Sequence, residues 1–141
     1  MNIIIGIDPG ATTAFSLVNE VDGDVGLVDY GKFKGIKTPS DLGPRYEQWI
    51  TRMVMKIRIF KNLKSLERAE LRNHVNAVYL EDQYFDARPG RSNPNSVKKI
   101  VQKRAWWEMK LYEDFGANVF LIMPSSWSTL LKAAGRGAPR S

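Results

Sequence analysis

The most constraining feature of this sequence lies at its start, where an apolar run stops at an acid. Residues Ile3 to Ile7 are apolar, and Asp8 follows them directly, before the turn-forming pair Pro9-Gly10. Such a run is typical of a strand buried on both faces of a sheet, and the Pro-Gly pair ends it. The sequence therefore predicts a central strand with a carboxylate at its C-terminal end.

Four further segments are rich in β-forming residues. They cover residues 12–18, 26–33, 75–81 and 117–123, and Asp22-Gly23-Asp24 between the first two is a hairpin signal. The first three strands form an antiparallel meander, whereas each later strand follows a helix, which returns the chain parallel to an earlier strand. The predicted fold is α/β, a five-stranded mixed sheet in the order 3-2-1-4-5, flanked by helices.

Two long amphipathic helices are predicted from apolar residues at helical spacing. The first begins at Pro44 and continues to about Arg72, with a break near Asn62. Its apolar face consists of Tyr46, Trp49, Ile50, Met53, Val54 and Ile57. The second runs from Pro94 to Phe115, and Gly116 follows it as a cap. The core face assigned to this second helix consists of Val97, Ile100, Val101, Ala105, Tyr112 and Phe115. A short helix over about 125–134 is expected after the last strand.

Composition excludes several kinds of chemistry. The 141 residues include no cysteine and one histidine, His74, which rules out a disulfide scaffold, a thiol nucleophile and a cysteine zinc site. A metal would have to be held by carboxylates, which favours Mg²⁺ or Mn²⁺. The length suits one domain over 1–141. No membrane span or signal peptide is evident, so we expect a cytoplasmic protein.

The positive charge is unevenly distributed. The net charge is +6, yet residues 1–31 contain five acids and no Lys or Arg. The basic remainder suggests a polyanionic partner, most often nucleic acid. Six cations come soon after the fourth strand, and we predict that they contact phosphates: Arg88, Arg91, Lys98, Lys99, Lys103 and Arg104. The alternative for this run is a solvated helix face.

Two acids stand at the ends of predicted strands. Asp8 ends the first strand and Glu81 ends the fourth. If these strands are adjacent and parallel, the two carboxylates lie side by side and repel each other unless a cation lies between them. The pair is thus a candidate divalent-metal site, able to support phosphodiester hydrolysis. The alternative is that both acids are ordinary turn residues.

These segments together resemble a known family. Ile4-Ile5-Gly6-Ile7-Asp8-Pro9-Gly10 with Thr13 resembles the first motif of RuvC-type Holliday-junction resolvases, which belong to the ribonuclease H-like superfamily. Tyr79 to Phe85 resembles the second acidic strand end, and Ser96 to Arg104 resembles the start of the long helix. The strand that ends at Pro124, with Trp127 after it, also fits. The resemblance spans the whole chain in order.

The resemblance implies a Mg²⁺-dependent crossover junction endonuclease acting on four-way branched DNA, with Mn²⁺ able to substitute. Asp8 and Glu81 match the family's catalytic metal ligands, and Asp82 is a candidate extra carboxylate. Tyr84 and Phe85 stand where the family places an aromatic that stacks on an unpaired base, and alternation allows only one of them to face DNA. The family forms homodimers through the long helix, which makes Trp106 a candidate interface residue. The alternative is that Trp106 packs on its own chain.

The chain departs from the family at its end. The family completes its site with an acidic pair on a C-terminal helix, whereas the last acid here is Asp114. We therefore expect a form that lacks the last helix and cleaves poorly.

Three other functions stay open. A flap or branch nuclease of the same fold would share these motifs. A non-catalytic dimer that binds branched DNA would account for the net positive charge and would not need the acidic pair that completes the family's catalytic site. An actin-like ATPase or sugar kinase also opens with such a strand, but it needs a chain of about twice this length.

Overall fold

The computed structural model describes residues 1–10, 12–82 and 94–122, without the side chains of 94–97 and 100. The strands are β1 (Asn2–Asp8), β2 (Thr13–Val21), β3 (Asp24–Phe33), β4 (Ala77–Glu81) and β5 (Val119–Ile122). The helices are α1 (Pro39–Phe60), α2 (Leu71–His74) and α3 (Pro94–Phe115). Short 3-10 turns cover Arg68–Glu70 and Gly116–Asn118.

The strands form one mixed sheet in the order β3-β2-β1-β4-β5. β1 is antiparallel to β2 and parallel to β4, and β4 is parallel to β5. The hairpin between β2 and β3 turns at Asp22 and Gly23, which both adopt positive φ angles of 52° and 88°, as a tight hairpin turn requires. The predicted strand order, the central position of β1 and the hairpin are all confirmed.

The hydrophobic core lies on one face of the sheet, under α1 and α3. Ile3, Ile5 and Ile7 of β1 are buried, whereas Ile4 between them is only half-buried. Trp49 of α1 and Trp107 of α3 meet edge to face over this surface, with ring centroids 5.9 Å apart. Burial of such large aromatic side chains contributes strongly to packing of the helices on the sheet.

The first helix begins earlier than its sequence predicts. Thr38 caps it: the hydroxyl accepts from Asp41 N–H at 3.2 Å, and the Asp41 carboxylate accepts from Thr38 N–H at 3.1 Å. This reciprocal cap starts the helix at Pro39, so the predicted start at Pro44 is wrong, and Pro44 lies inside α1. The predicted break is confirmed, because α1 ends at Phe60 and Asn62 has a positive φ of 55°. Helical turns resume only at Arg68, so the predicted continuation of the helix over 63–67 is wrong.

The bounds of α3 are confirmed, but the predicted core face is wrong for two residues. Val101 is 39% exposed and Tyr112 is 61% exposed. Phe115 is buried as predicted, and the other side chains that enter the core are Trp107 and Leu111, so that the three are spaced four residues apart. These bulkier side chains bury more apolar area and so determine the rotation of the helix.

Some predictions fall outside the described residues, including the loop with Tyr84, Phe85, Arg88 and Arg91, and the short helix over 125–134. The side chains of Val97 and Ile100 also lie outside the description. Within the described part of the chain, no helix combines the length and the apolar character needed to cross a membrane.

Candidate metal and nucleic-acid site

The candidate site lies where β1 and β4 end side by side. The two strands run parallel, and their last paired residues are Ile7 and Leu80. Asp8 and Glu81 follow these residues as the final positions of their strands. The parallel register therefore brings both acids to the same edge of the sheet, as the sequence predicts.

The two carboxyl groups are in direct contact. Burial raises the pKa of Glu81 to about 7, with further contributions from the negative charge of Asp8 and from a hydrogen bond to it. Asp8 is exposed and Glu81 is half-buried. Two carboxylates in contact favour sharing a proton, and a cation that binds both would remove the need for that proton.

Gly10 connects Asp8 to the long helix. Its backbone N–H donates to Asp8 Oδ1 at 3.1 Å, and its carbonyl oxygen accepts from Lys103 Nζ at 2.8 Å. Lys103 is only 8% exposed. Burial lowers the pKa of Lys103, and the charge of Asp8 opposes this effect. The Lys103 ammonium group thus lies against the turn after β1 and within the electrostatic influence of Asp8, which distinguishes it from a cation on a solvated helix face.

Asp82 and Arg104 interact with each other. Arg104 Nε lies 3.4 Å from Asp82 Oδ1, and Arg104 also pairs with Glu108 one turn later at 2.9 Å. Asp82 N–H donates to the Ile122 carbonyl in β5 at 2.6 Å. The Asp82 carboxylate is thus engaged with α3 in this structure, and its role as a metal ligand stays a prediction, as does phosphate contact by Arg104.

The remaining predicted residues fall into two groups. Lys98 and Lys99 are exposed on the first turns of α3, where a phosphate could reach them. Trp106 is half-buried and packs against the core of its own chain. Its place in a dimer interface stays a prediction, and only its uncovered part is accessible to a partner.

The donor set fits a hard divalent cation. Asp8 and Glu81 offer oxygen ligands, which suit Mg²⁺ or Mn²⁺. Within residues 1–10, 12–82 and 94–122, no three acidic or histidine side chains come together as a metal-binding group. The described part of the site therefore supplies two carboxylates, which is a usual number for a protein-bound Mg²⁺ that keeps several waters.

Sequence reasoning did not identify the positions of Gly10 and Lys103 in this site. The signal was present in the spacing: Lys103, Trp107 and Leu111 recur every four residues, so all three lie on one face of α3. Because Trp107 and Leu111 are buried, that spacing predicts a buried lysine.

Comparison with solved structures identifies the fold. The T. thermophilus RuvC structure in complex with a Holliday junction substrate matches with a TM-score of 0.56 and 16% identity, over 99% of this chain and 84% of that chain. An Aquifex aeolicus PPX-GPPA enzyme matches with a TM-score of 0.38 and 13% identity, over 87% of this chain and 36% of that one. The second score is too low to indicate a common fold. No protein-family model and no curated protein sequence matches significantly.

The strand order, the helices and this structural similarity agree with each other. The chain has a mixed five-stranded α/β fold of the ribonuclease H-like type, the fold of the T. thermophilus RuvC structure.

Proposed function

We propose that this protein is a divalent-metal-dependent endonuclease that cleaves branched DNA, with four-way junctions as its preferred substrate. The observation that carries the proposal is the contact between Asp8 and Glu81 at the ends of two parallel strands. The similarity to a RuvC structure solved with a Holliday junction supports the choice of substrate.

Asp8 and Glu81 are the residues that would hold the cation. When bound, Mg²⁺ or Mn²⁺ supplies Lewis-acid catalysis for phosphodiester hydrolysis. Glu81 would hold the cation in its deprotonated form, and the N–H of Gly10, which donates to Asp8 Oδ1 at 3.1 Å, orients the Asp8 carboxylate. Lys98 and Lys99 bind the DNA backbone, which places the phosphates without reading their sequence.

The proposal includes a homodimer, because a four-way junction presents two symmetry-related strands to cut. Val101, Met109 and Tyr112 form an exposed apolar stripe along α3, with exposed fractions of 39%, 68% and 61%. Trp106 lies beside this stripe, and apolar patches of this kind mark interaction sites. The cytoplasm, where DNA is accessible, is the location that this function implies.

The test is to replace Asp8 with Asn. Asp8→Asn removes a negative ligand from the cation but no contact to phosphate, so junction cleavage in Mg²⁺ should fall by roughly a hundredfold or more, while junction binding is kept or slightly strengthened. Cleavage is measured on a labelled four-way junction, and binding by fluorescence anisotropy in EDTA.

Asp24→Asn is the matched control, since Asp24 is an exposed acid in the β2–β3 hairpin. It should leave both measurements unchanged. Junction binding by the unaltered protein without any metal-dependent cleavage would support a non-catalytic DNA-binding dimer instead. Preferential cleavage of flaps over junctions would assign it to the flap nucleases.

A further inference from the structure

Lys103 is the one buried lysine among the described residues, and it lies next to the acidic pair. A buried ammonium group loses its hydration, and this cost has to be offset by hydrogen bonds or by an opposite charge. Lys103 meets both conditions at the turn after β1, where its Nζ donates to the Gly10 carbonyl at 2.8 Å and experiences the charge of Asp8.

Gly10 links Lys103 to the acidic pair through two hydrogen bonds. Its carbonyl is held by Lys103, and its N–H donates to Asp8 Oδ1 at 3.1 Å. Glycine is the most freely rotating residue, so a turn that contains it needs an external anchor to hold one orientation. The described contacts thus form a chain from α3 through Gly10 to the carboxylate.

We propose that Lys103 is a positioning residue, which fixes Gly10 and thereby orients the Asp8 carboxylate to bind the divalent cation. This inference rests on the proposed function, since it assumes that Asp8 is a metal ligand. It replaces phosphate contact as the role of Lys103, because a buried side chain directed at the turn is poorly placed to reach the DNA backbone.

Two roles of Lys103 predict changes of opposite sign in metal affinity. If Lys103 acted only through its charge, its removal would lessen the repulsion of an incoming cation and strengthen metal binding. If it positions Asp8, its removal leaves the ligand poorly oriented and weakens metal binding. Groups that orient metal ligands typically contribute tenfold to a hundredfold in affinity.

The experiment measures Mn²⁺ binding to the DNA-free protein by electron paramagnetic resonance. Lys103→Met keeps the length of the buried side chain without its charge, and we expect the Kd for Mn²⁺ to rise about tenfold or more. Lys103→Arg, which can still donate to the carbonyl, should restore part of the affinity. Lys56→Met, at an exposed lysine on α1, is the matched control and should leave the Kd unchanged.

Gly10→Ala tests the same set of contacts at Gly10 rather than at Lys103. An added Cβ would lie 3.3 Å from Asp8 Oδ1, so the carboxylate would have to shift by a few tenths of an ångström. We expect Gly10→Ala to weaken Mn²⁺ binding. Because both changes act through one path, the double variant should lose less affinity than the product of the two single losses.

The outcomes separate this inference from the proposed function. A Kd for Lys103→Met equal to or lower than that of the unaltered protein would overturn the positioning role alone. Mn²⁺ binding that Asp8→Asn leaves unchanged, or no saturable binding at all, would overturn the proposed function and the positioning role together. Circular dichroism of each variant verifies that it is folded.

Discussion

At the residue scale, the acidic pair gives Glu81 an unusual protonation state. Its pKa rises from the ordinary value of 4.5 to about 7, through burial first and the charge of Asp8 second. The folded protein therefore binds more protons than the unfolded chain between these two pH values. By linkage, stability without metal falls as the pH rises across this window.

We expect Glu81→Gln to be more stable than the unaltered protein at pH 8 in EDTA and to lose this advantage at pH 5. Glu81 is half-exposed, and solvent screening reduces the effect to about 1 kcal/mol, or a few degrees in Tm. Differential scanning calorimetry at both pH values measures it. Glu113→Gln, at an exposed carboxylate on α3, is the control, and equal Tm differences at pH 5 and 8 for Glu81→Gln would contradict the prediction.

The sequence predicts the meeting of Asp8 and Glu81 because both are terminal residues of parallel strands, and the parallel register fixes their separation. It does not predict the contacts of Lys103 with Gly10, which depend on how α3 is rotated about its axis. That rotation is determined by the burial of Trp107 and Leu111, whereas the assigned core face relied on Val101 and its neighbours.

At the element scale, Asp114 joins α3 to α1 and to the 3-10 turn before α2. Its carboxylate accepts from the Tyr46 hydroxyl at 2.7 Å and from Arg68 Nε at 2.8 Å. Burial alone would raise the pKa of Asp114, but the hydrogen bonds from Arg68 and Tyr46 outweigh it and hold this pKa below its usual range. Arg68 also pairs with Glu47 of α1 at 2.6 Å.

We expect Asp114→Asn to lower the free energy of unfolding by about 1–3 kcal/mol, because a buried charged acceptor is lost and its donors stay in place. Glu47→Gln alters the other partner of the same arginine, but Glu47 is exposed, so its effect should stay within about 1 kcal/mol. Urea denaturation measures both. Equal losses for the two variants would show that burial of Asp114 adds nothing to this network.

Most elements could be predicted, and the errors have local causes. The strands follow from alternation and turn residues, and both ends of α3 follow from Pro94 and Gly116. The start of α1 was missed because Pro44 looks like a first helical residue. The capping pair of Thr38 and Asp41, six and three residues before Pro44, is a stronger signal because it satisfies backbone N–H groups at the helix start.

At the scale of the whole molecule, the proposed DNA contacts predict a salt dependence. Changing Lys98 and Lys99 together to Ala should weaken binding to all DNA substrates. It should also reduce the slope of log Kd against log salt by about one unit for each lost phosphate contact. Fluorescence anisotropy over a range of NaCl concentrations measures the slope.

The matched control changes Lys56 and Lys64 to Ala, which removes the same charge from exposed positions in α1 and the segment after it. Its slope should stay close to that of the unaltered protein. Equal slopes for both double variants would mean that DNA is attracted by net charge rather than bound at the start of α3.

The exposed stripe on α3 predicts the oligomeric state. We expect light scattering to show a dimer, and Met109→Lys to shift it toward a monomer, because a charge is placed in an apolar interface. Met109 is 68% exposed in the single chain, so the change should not disturb folding. Ile59→Lys is the control, since Ile59 is similarly exposed, at 61%, on α1. A monomer at every concentration would contradict the prediction.

One helix carries both the exposed lysines and the anchor of the turn after β1. Lys98 and Lys99 precede Lys103 on α3 by about one turn, so the proposed DNA contacts and the anchor of the proposed cation ligand lie on one continuous helix. If bound DNA changes the affinity for the cation by some factor, the bound cation must change the affinity for DNA by the same factor, because the two binding equilibria are thermodynamically linked. If α3 carries this coupling, loss of the contact between Lys103 and Gly10 should bring both factors close to one. DNA and the cation would then bind independently of each other.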